Sequence, residues 1–187
     1  DISAFSIDWI ETTPGIRVRL GNQSATAMID TARTGPPFIG AALAATHVDR
    51  LVEGGSTRNA FDEEFSTSIG ILNADIHIGP YTFERPIVDV AGPKGPWEED
   101  KLNLGESILE HFSISLDYAN GRVRLQPLGS EKTFPQTPYW TTGVVLDHRN
   151  NAIFVSHLIP GSQGSASGLA IDDQVVEIDG EPAEGFC

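Results

Sequence analysis

An acid that directly follows an apolar run is the first feature of this sequence that could do chemistry. Three uncharged residues lead into Asp30, which is followed by the hydroxyl of Thr31, the small Ala32 and, soon after, a Gly/Pro turn. A carboxylate at the end of a buried strand is costly to desolvate unless it has partners. Asp is also common where strands end in turns, because its side chain accepts hydrogen bonds from nearby backbone amides. The residues alone leave both a reactive carboxylate and a structural turn open.

The acidic composition restricts the partners that the chain can bind. Its 187 residues carry a formal net charge of −14, and the 12 Lys and Arg residues are scattered. Nucleic acids and anionic membrane surfaces are both bound by clustered cations. The charge therefore disfavours both and leaves peptides or proteins as partners. Apolar runs are too short for a transmembrane helix or a signal segment, and because the chain begins at Asp1 without Met, we expect any leader to have been removed or left out.

Metal and disulfide chemistry have little support in the sequence. Cys187 is the single cysteine, so we expect no internal disulfide and no cysteine-based metal site. The histidines show no metal-like spacing, and surface or core positions are expected for all of them: His47, His77, His111, His148 and His157. The sequence therefore predicts no metal and no cofactor.

Alternating apolar residues predict that the chain up to residue 128 is mostly β. Residues 16–20 alternate apolar residues with arginines, and Gly21-Asn22 then turns the chain into a second arm at 25–30. This hairpin delivers Asp30 at its end. Asn120-Gly121 marks a second hairpin. Further strands are predicted at 4–9, 74–78, 113–118 and 122–126 and from Tyr81 towards Val90, with short helices at 41–47 and 106–112.

A change of composition divides the chain in two. Residues 129–140 are rich in Pro, Ser and Thr and are typical of a linker, and a strand pattern resumes afterwards. The predicted organisation is a domain at 1–128, a linker at 129–140 and a second β-rich region at 141–187. That last region is short for an independent domain, so we expect it to be incomplete as given.

Three elements of the first region occur in an order that resembles the retropepsin-like aspartic proteases. They are the segment Met28 to Ala32 after its hairpin, the segment Leu102 to Leu109 with its Leu-Gly step, and a closing hairpin at 112–125. The resemblance covers roughly residues 5–128. It implies a mostly β fold, a closed β-barrel that forms half of an acid protease, with Asp30 as the catalytic acid in an Asp-Thr-Ala motif.

The motif departs from this family at two positions. Ala32 replaces the more usual Gly, which would strain the loop if the position needs a positive φ, or would otherwise crowd the substrate. Arg33 adds a cation that could influence the carboxylate if it points inward. Thr31 would hydrogen-bond across the catalytic dyad by resemblance, or is a solvent-facing turn residue.

One chain offers one suitable acid, whereas this chemistry takes two carboxylates that share a proton around a water. Asp89 is not followed by a hydroxyl, and Asp117 lies within a hairpin, so neither matches the motif. The resemblance therefore implies a homodimer with two Asp30 side chains on its twofold axis.

A polar segment at 51–69 is the candidate for the hairpin that covers the substrate in this family, with its tip near 54–60. A polar surface hairpin is the alternative. The residues assigned to substrate binding by resemblance are Arg33, Gly54, Gly55, Leu104 and Gly105.

The last region resembles the first part of a bacterial PDZ domain. The resemblance lies in segments 154–162, 166–169 and 173–182, with Asp172 where Gly usually stands, while the final helix and strand of such a domain are absent after Cys187. PDZ domains bind peptide C-termini as an added strand. By resemblance, the loop that would hold the peptide carboxylate comprises Thr142, Gly143 and Val144.

The sequence thus predicts an aspartic endopeptidase that acts on polypeptides as a homodimer and carries a partial PDZ domain for substrate or partner peptides. The alternative, which Ala32 and Arg33 favour, is a non-catalytic dimeric scaffold that binds peptides through a degenerate protease fold. By analogy with envelope proteases that carry such PDZ domains, the expected compartment is the periplasm or the exterior, with the cytoplasm as the alternative.

Overall fold

The structure, a computed structural model, describes residues 3–10, 13–58, 64–92, 101–136, 138 and 141–183. Strands account for 54% of it and helices for 10%, so the predicted mostly β fold is confirmed. The strands are β1 (Ser3–Ser6), β2 (Asp8–Ile10), β3 (Thr13–Leu20), β4 (Gln23–Ile29), β5 (Phe38–Ile39), β6 (Val48–Arg58), β7 (Glu64–Leu72), β8 (Ile76–Ile78), β9 (Tyr81–Phe83), β10 (Ile87–Ala91), β11 (Lys101–Leu104), β12 (Phe112–Asp117), β13 (Arg122–Pro127), β14 (Thr133–Phe134), β15 (Val144–Arg149), β16 (Ala152–Leu158), β17 (Gln174–Val175), β18 (Glu177–Ile178) and β19 (Glu181–Pro182). The helices are α1 (Ala41–His47), α2 (Glu106–Leu109) and α3 (Gln163–Ala166).

The hairpin of β3 and β4 is the element that carries the chain to Asp30. Its antiparallel register runs from Gly15 opposite Met28 to Leu20 opposite Gln23. Apolar side chains of β3 are buried and its arginines are exposed, as the alternation predicts. Gly21 turns the chain at a φ of 57°, a conformation that glycine adopts without steric cost.

The large sheet brings together strands that are distant in the sequence. Its order is β14-β9-β8-β3-β4-β11-β5-β10-β7-β6, with β2 paired to β3. Next to Asp30, β11 runs parallel to β4 and antiparallel to β5, and β5 runs parallel to β10. The described pairings form an open path from β14 to β6, so closure of the barrel stays a prediction. Within the first unit, buried side chains form a hydrophobic cluster that includes Ile16, Leu20, Ile39, Leu102 and Leu125.

The predicted hairpin around Asn120-Gly121 is confirmed as β12 and β13. Gly121 has a φ of 59°, and the Asn120 amide and side chain both donate to the Asp117 carboxylate, at 3.1 and 2.7 Å. These donors favour the charged form and lower the pKa of Asp117 below its ordinary value. Strand β1 pairs with the outer side of β13, which gives a separate three-stranded sheet.

The predicted tip of the polar hairpin is wrong. Gly54 and Gly55 lie within β6, which continues to Arg58, and residues 59–60 of the predicted tip lie outside the described residues. Gly55 has a φ of 100° within the strand, and a Cβ there would lie 3.0 Å from both His157 and Val145. Glycine at position 55 therefore permits the close packing of His157 and Val145 against the strand and does not form a turn.

Part of the predicted linker belongs to the large sheet. Strand β14 runs parallel to β9, and the amides of Thr82 and Glu84 donate to the carbonyls of Lys132 and Phe134, each at 2.8 Å. The Phe134 ring stacks on those of Phe83 at 4.7 Å and His111 at 4.2 Å. Aromatic packing thus fixes a segment whose composition is typical of a linker.

The chain divides into two compact units. The first comprises residues 1–52 and 68–139, and the second comprises residues 53–67 and 140–187, so the second unit includes the distal part of the β6–β7 hairpin. It contains a β15-β16-β17 sheet, in which β15 is an edge strand, and the small β18–β19 pair. No helix within the described ranges is long and apolar enough to cross a membrane.

We expect Phe134→Ala to lower the free energy of unfolding by about 2 kcal/mol, less than the roughly 3–5 kcal/mol of a fully buried Phe, because it removes both stacking contacts. Urea denaturation followed by circular dichroism measures this. Leu128→Ala is the control, since Leu128 is 70% exposed and its truncation should cost little. Equal effects of the two changes would show that β14 contributes nothing to the first unit.

Candidate active site

Asp30 lies directly after β4, in the position that the hairpin predicts. Its amide donates to the carbonyl of Leu104 at 3.2 Å, and its own carbonyl accepts from the amide of Arg33 at 3.3 Å. The first bond joins the end of β4 to the end of β11, and the second closes a tight turn. The backbone of Asp30 is therefore fixed on both sides, while its side chain stays half-buried.

Both oxygens of the Asp30 carboxylate accept hydrogen bonds. The amide of Ala32 donates to Oδ1 at 3.1 Å, and the side-chain amide of Asn103 donates to Oδ2 at 2.9 Å. A carboxylate can accept at both oxygens, so each oxygen of Asp30 has a donor in this arrangement. The bond from Ala32 is the local bond between side chain and backbone that is common for an Asp in a turn. The bond from Asn103 comes instead from strand β11.

Gly105 lets the loop between β4 and β5, residues 30–37 and called the Asp30 loop below, pack against the start of α2. A Cβ at this position would lie 3.1 Å from both Cγ and the carbonyl oxygen of Arg33, and 3.2 Å from the carbonyl oxygen of Gly35. Two amides then donate into the loop, from Glu106 to Arg33 at 2.9 Å and from Ser107 to Gly35 at 3.3 Å. The φ of Gly105 is −94°, so the demand for glycine comes from space and not from backbone conformation.

Arg33 is engaged on the side of Asp89. Its guanidinium forms an ion pair with the Asp89 carboxylate, its Nε donates to the Pro36 carbonyl at 3.0 Å, and its Cζ lies 4.8 Å from the centre of the Phe38 ring. Burial raises the pKa of Asp89 above its ordinary value, and the charge of Arg33 opposes this shift only in part. The cation next to the motif therefore has a partner other than Asp30.

Thr31, Ala32 and Thr34 are the exposed residues of the loop. Ala32 is not among the described residues with a positive φ, and in this loop the positive φ falls on Gly35, at 88°. The strain expected for an alanine in place of the family's glycine is therefore not observed. The exposed Thr31 hydroxyl is compatible both with a contact to a partner subunit and with a solvent-facing turn.

A row of four side chains crosses the sheet beside Asp30. The register places Met28 opposite Asn103, Asn103 opposite Phe38, and Phe38 opposite Asp89. Partners in register point to the same face of a sheet, so Asn103 and Asp89 share a face with the ring that Arg33 covers. Neither polar residue was predicted to belong to the site. The signal was present in β11, where one Asn stands between two buried leucines.

The predicted substrate-binding residues have different positions. The Leu104 side chain is 0% exposed in the core, where strand alternation turns it away from Asn103. Its carbonyl accepts from the Asp30 amide, and its predicted role towards a substrate stays a prediction. Gly105 packs on the loop. Gly55 is buried against residues of the second unit, while the predicted role of Gly54 and Arg33 towards a substrate stays a prediction.

The predicted carboxylate-binding loop of the second unit is closed by hydrogen bonds to threonine hydroxyls of the same segment. The amides of Gly143 and Val144 donate to the hydroxyls of Thr141 and Thr142, at 3.1 and 3.3 Å. Gly143 has a φ of 74°, and a Cβ there would lie 2.1 Å from the Oγ of Ser162. Only glycine fits this position, because both the conformation and the space exclude a side chain.

Asp172 adopts the conformation that the replaced glycine would favour. Its φ is 71°, its amide donates to the Val155 carbonyl at 2.8 Å, and its carboxylate pairs with Arg149 at 2.7 Å. The substitution therefore leaves the loop in place. In the described part of the chain, no group of three or more His, Cys, Asp or Glu residues could hold a metal ion.

No family model matches the chain, and no curated protein does. Among solved structures, a retropepsin-like aspartic protease from Rickettsia conorii is similar, with a TM-score of 0.50 and 19% sequence identity over 67% of this chain and 98% of that one. At this identity the similarity shows the fold alone. The predicted retropepsin-like fold is thereby confirmed, and the resemblance of the last region to a PDZ domain stays a prediction.

We expect Gly105→Ala to displace the Asp30 loop, because two of the atoms that crowd its Cβ are backbone oxygens, which cannot rotate away. The amide resonances of residues 31–33 should shift in a ¹H–¹⁵N spectrum. Gly121→Ala is the control: it strains a left-handed turn that has open space around it, and should lower stability by about 1 kcal/mol without changing those resonances. Unchanged loop resonances in Gly105→Ala would contradict the packing described above.

Proposed function

We propose that the protein is an aspartic endopeptidase, active as a homodimer in which each subunit contributes one Asp30. The observation that carries the proposal is the placement of Asp30, held by Asn103 and Ala32 at the end of β4 in a retropepsin-like fold. Next to it, the loop is exposed at Thr31 and Ala32, which leaves room for a second subunit and a substrate.

Two carboxylates that share one proton supply both a base and an acid. Like charges so close do not both ionise, so one carboxylate stays charged while the other keeps the proton. The charged Asp30 takes a proton from water as the water oxygen attacks the peptide carbonyl carbon. The protonated Asp30 donates to the carbonyl oxygen. The Asp30 that took the proton then gives it to the amide nitrogen, and the other Asp30 takes a proton from a hydroxyl of the tetrahedral intermediate as the C–N bond breaks and the carbonyl re-forms.

A homodimer follows from the number of acids. Asp89, the other carboxylate on this face of the sheet, is engaged by Arg33, so it is not the partner that Asp30 needs. An isologous contact about a twofold axis brings the same residue from each subunit together. In that arrangement the exposed Thr31 hydroxyl bonds to the loop of the partner subunit and makes the dyad rigid.

Two positions that favoured a degenerate fold do not oppose activity. Ala32 is outside the positive-φ region, and its amide is one of the donors to Asp30. The guanidinium of Arg33 pairs with the Asp89 carboxylate, and its Cγ lies next to Gly105. The alternative of a non-catalytic dimeric scaffold is therefore less well supported than a working dyad.

For the second unit we propose peptide binding by strand addition. β15 is an edge strand of its sheet, and the loop before it carries the amides of Gly143 and Val144. A peptide carboxylate would displace the Thr141 and Thr142 hydroxyls from these amides, and the peptide backbone would extend the sheet beside β15. On this proposal the unit selects substrates or partner proteins by their C-termini, and we place the protein in the periplasm or outside the cell.

Asp30→Asn should lower cleavage of a peptide library by at least about 100-fold, because an amide cannot take or give the proton, while its shape is retained. Mass spectrometry of the products at mildly acidic pH measures the cleavage, and sedimentation measures the dimer, which should persist. Asp179→Asn is the matched control. It makes the same chemical change at an exposed residue with a φ of 52°, which Asn also tolerates, and should cleave like the wild type.

Undiminished cleavage by Asp30→Asn would overturn the catalytic proposal. A dimer that binds peptides without cleaving any of them would instead support the non-catalytic scaffold.

We expect a labelled peptide with a free, apolar C-terminus to bind the Asp30→Asn protein at least about tenfold more tightly than its C-terminal amide, because a charged acceptor strengthens the bonds from the loop amides. Fluorescence polarisation measures both affinities. Gly143→Ala should abolish the difference. Gly161→Ala, with a similar φ of 77° but open space around its Cβ, should preserve it. Equal binding of acid and amide would contradict the assignment of this loop.

A further inference from the structure

Asn103 occupies a position where an apolar residue would cost less. It lies in β11 between Leu102 and Leu104, both 0% exposed, and is itself only 5% exposed. Its neighbours in register, Met28 and Phe38, are also buried. Apart from the tyrosine Tyr81, it is the one buried polar side chain among the residues that the structure describes.

The two ends of the Asn103 carboxamide have different environments. Its Nδ2 donates to Oδ2 of Asp30 at 2.9 Å, whereas its Oδ1 is buried and has no hydrogen-bond partner in the described part of the chain. A buried acceptor without a partner lowers stability, because the desolvation of that atom is not offset. The stability of the strand therefore does not explain why this position carries Asn.

The bond to Asp30 supplies the explanation. The Ala32 amide holds Oδ1 of Asp30 within the loop, but that bond moves with the loop. Asn103 holds Oδ2 from a strand whose backbone is fixed on both sides by β4 and β5. Together the two donors define the rotation of the carboxylate about its side-chain bonds, which neither donor achieves alone.

We propose that Asn103 is a positioning residue of the active site, whose carboxamide fixes the orientation of the Asp30 carboxylate at the cost of an unpartnered acceptor. The proposal rests on the aspartic peptidase function proposed above. A dyad needs both carboxylates in one plane around the water, and small errors in position are costly for catalysis. Asn103 acts on the reaction only through Asp30.

A purely structural role makes the opposite prediction for stability. If the hydrogen bond served to join β11 to the end of β4, its removal would destabilise the fold. If it serves position, Asn103→Leu should leave the fold as stable as the wild type or more so, because leucine has a similar volume, suits the apolar neighbours and removes the unpartnered oxygen.

The chain offers a matched control in Asn73. Its Nδ2 donates to Oδ1 of Asp49, also at 2.9 Å, at an exposed site. Asn73→Leu therefore removes the same type of hydrogen bond between an amide and a carboxylate, without touching Asp30.

The experiment compares Asn103→Leu and Asn73→Leu in the dimeric protein by three measurements. For Asn103→Leu we expect an unchanged or higher midpoint of urea denaturation, a kcat lower on the order of 100-fold with little change in KM, and faster hydrogen exchange of the Ala32 amide. Asn73→Leu should leave kcat and the exchange of Ala32 unchanged. A lower denaturation midpoint with normal kcat and normal Ala32 exchange would make Asn103 structural and overturn the proposal.

The three measurements also separate this proposal from the proposed function. A wild type that cleaves only through Asp30, together with an Asn103→Leu variant of normal kcat, would overturn the positioning role alone. A wild type without cleavage would overturn the peptidase function. In that case the Ala32 exchange still decides whether Asn103 orders Asp30, since this readout needs no substrate: faster exchange supports the ordering and unchanged exchange refutes it.

Discussion

The parallel pairing of β4 with β11 is the constraint on which the candidate active site depends. The register places Leu104 opposite Ile29, and this sets the Leu104 carbonyl to receive the Asp30 amide and brings Gly105 against the loop. Parallel neighbours need a long connection between them, and here it contains β5 to β10. The site therefore forms only when the first unit has folded around that connection, and no local segment could hold Asp30 in this way.

The carboxylates of Asp30 and Asp89 have different partners. Asp89 is mostly buried, receives the guanidinium of Arg33 and has a raised pKa because burial outweighs that contact. Asp30 is half-buried and receives two neutral amide donors. The ion pair thus directs the charge of Arg33 to Asp89, while the carboxylate of Asp30 is held by neutral amides.

Local patterns predicted the parts of this fold that depend on neighbours in the sequence. The β3–β4 hairpin, the Asn120-Gly121 turn and the acid after β4 follow from alternation and turn residues. Other features depend on contacts between distant segments. Phe134 lies in a segment whose composition is typical of a linker, yet its ring stacks on that of His111. The sequence predicts Gly55 near the tip of a hairpin, yet this residue lies within a strand and permits the His157 ring to pack closely against it. The role of Asn103 became apparent only when the register placed it beside Asp30.

The separation of the two Asp30 carboxylates in the native assembly tests the central claim most directly. A crystal structure of the assembly, supported by sedimentation in solution, measures it. We expect a twofold dimer with the carboxylates facing each other at about 3 Å. A strict monomer, or a dimer that holds the two carboxylates far beyond hydrogen-bonding distance, would contradict the assignment of Asp30 to a catalytic dyad.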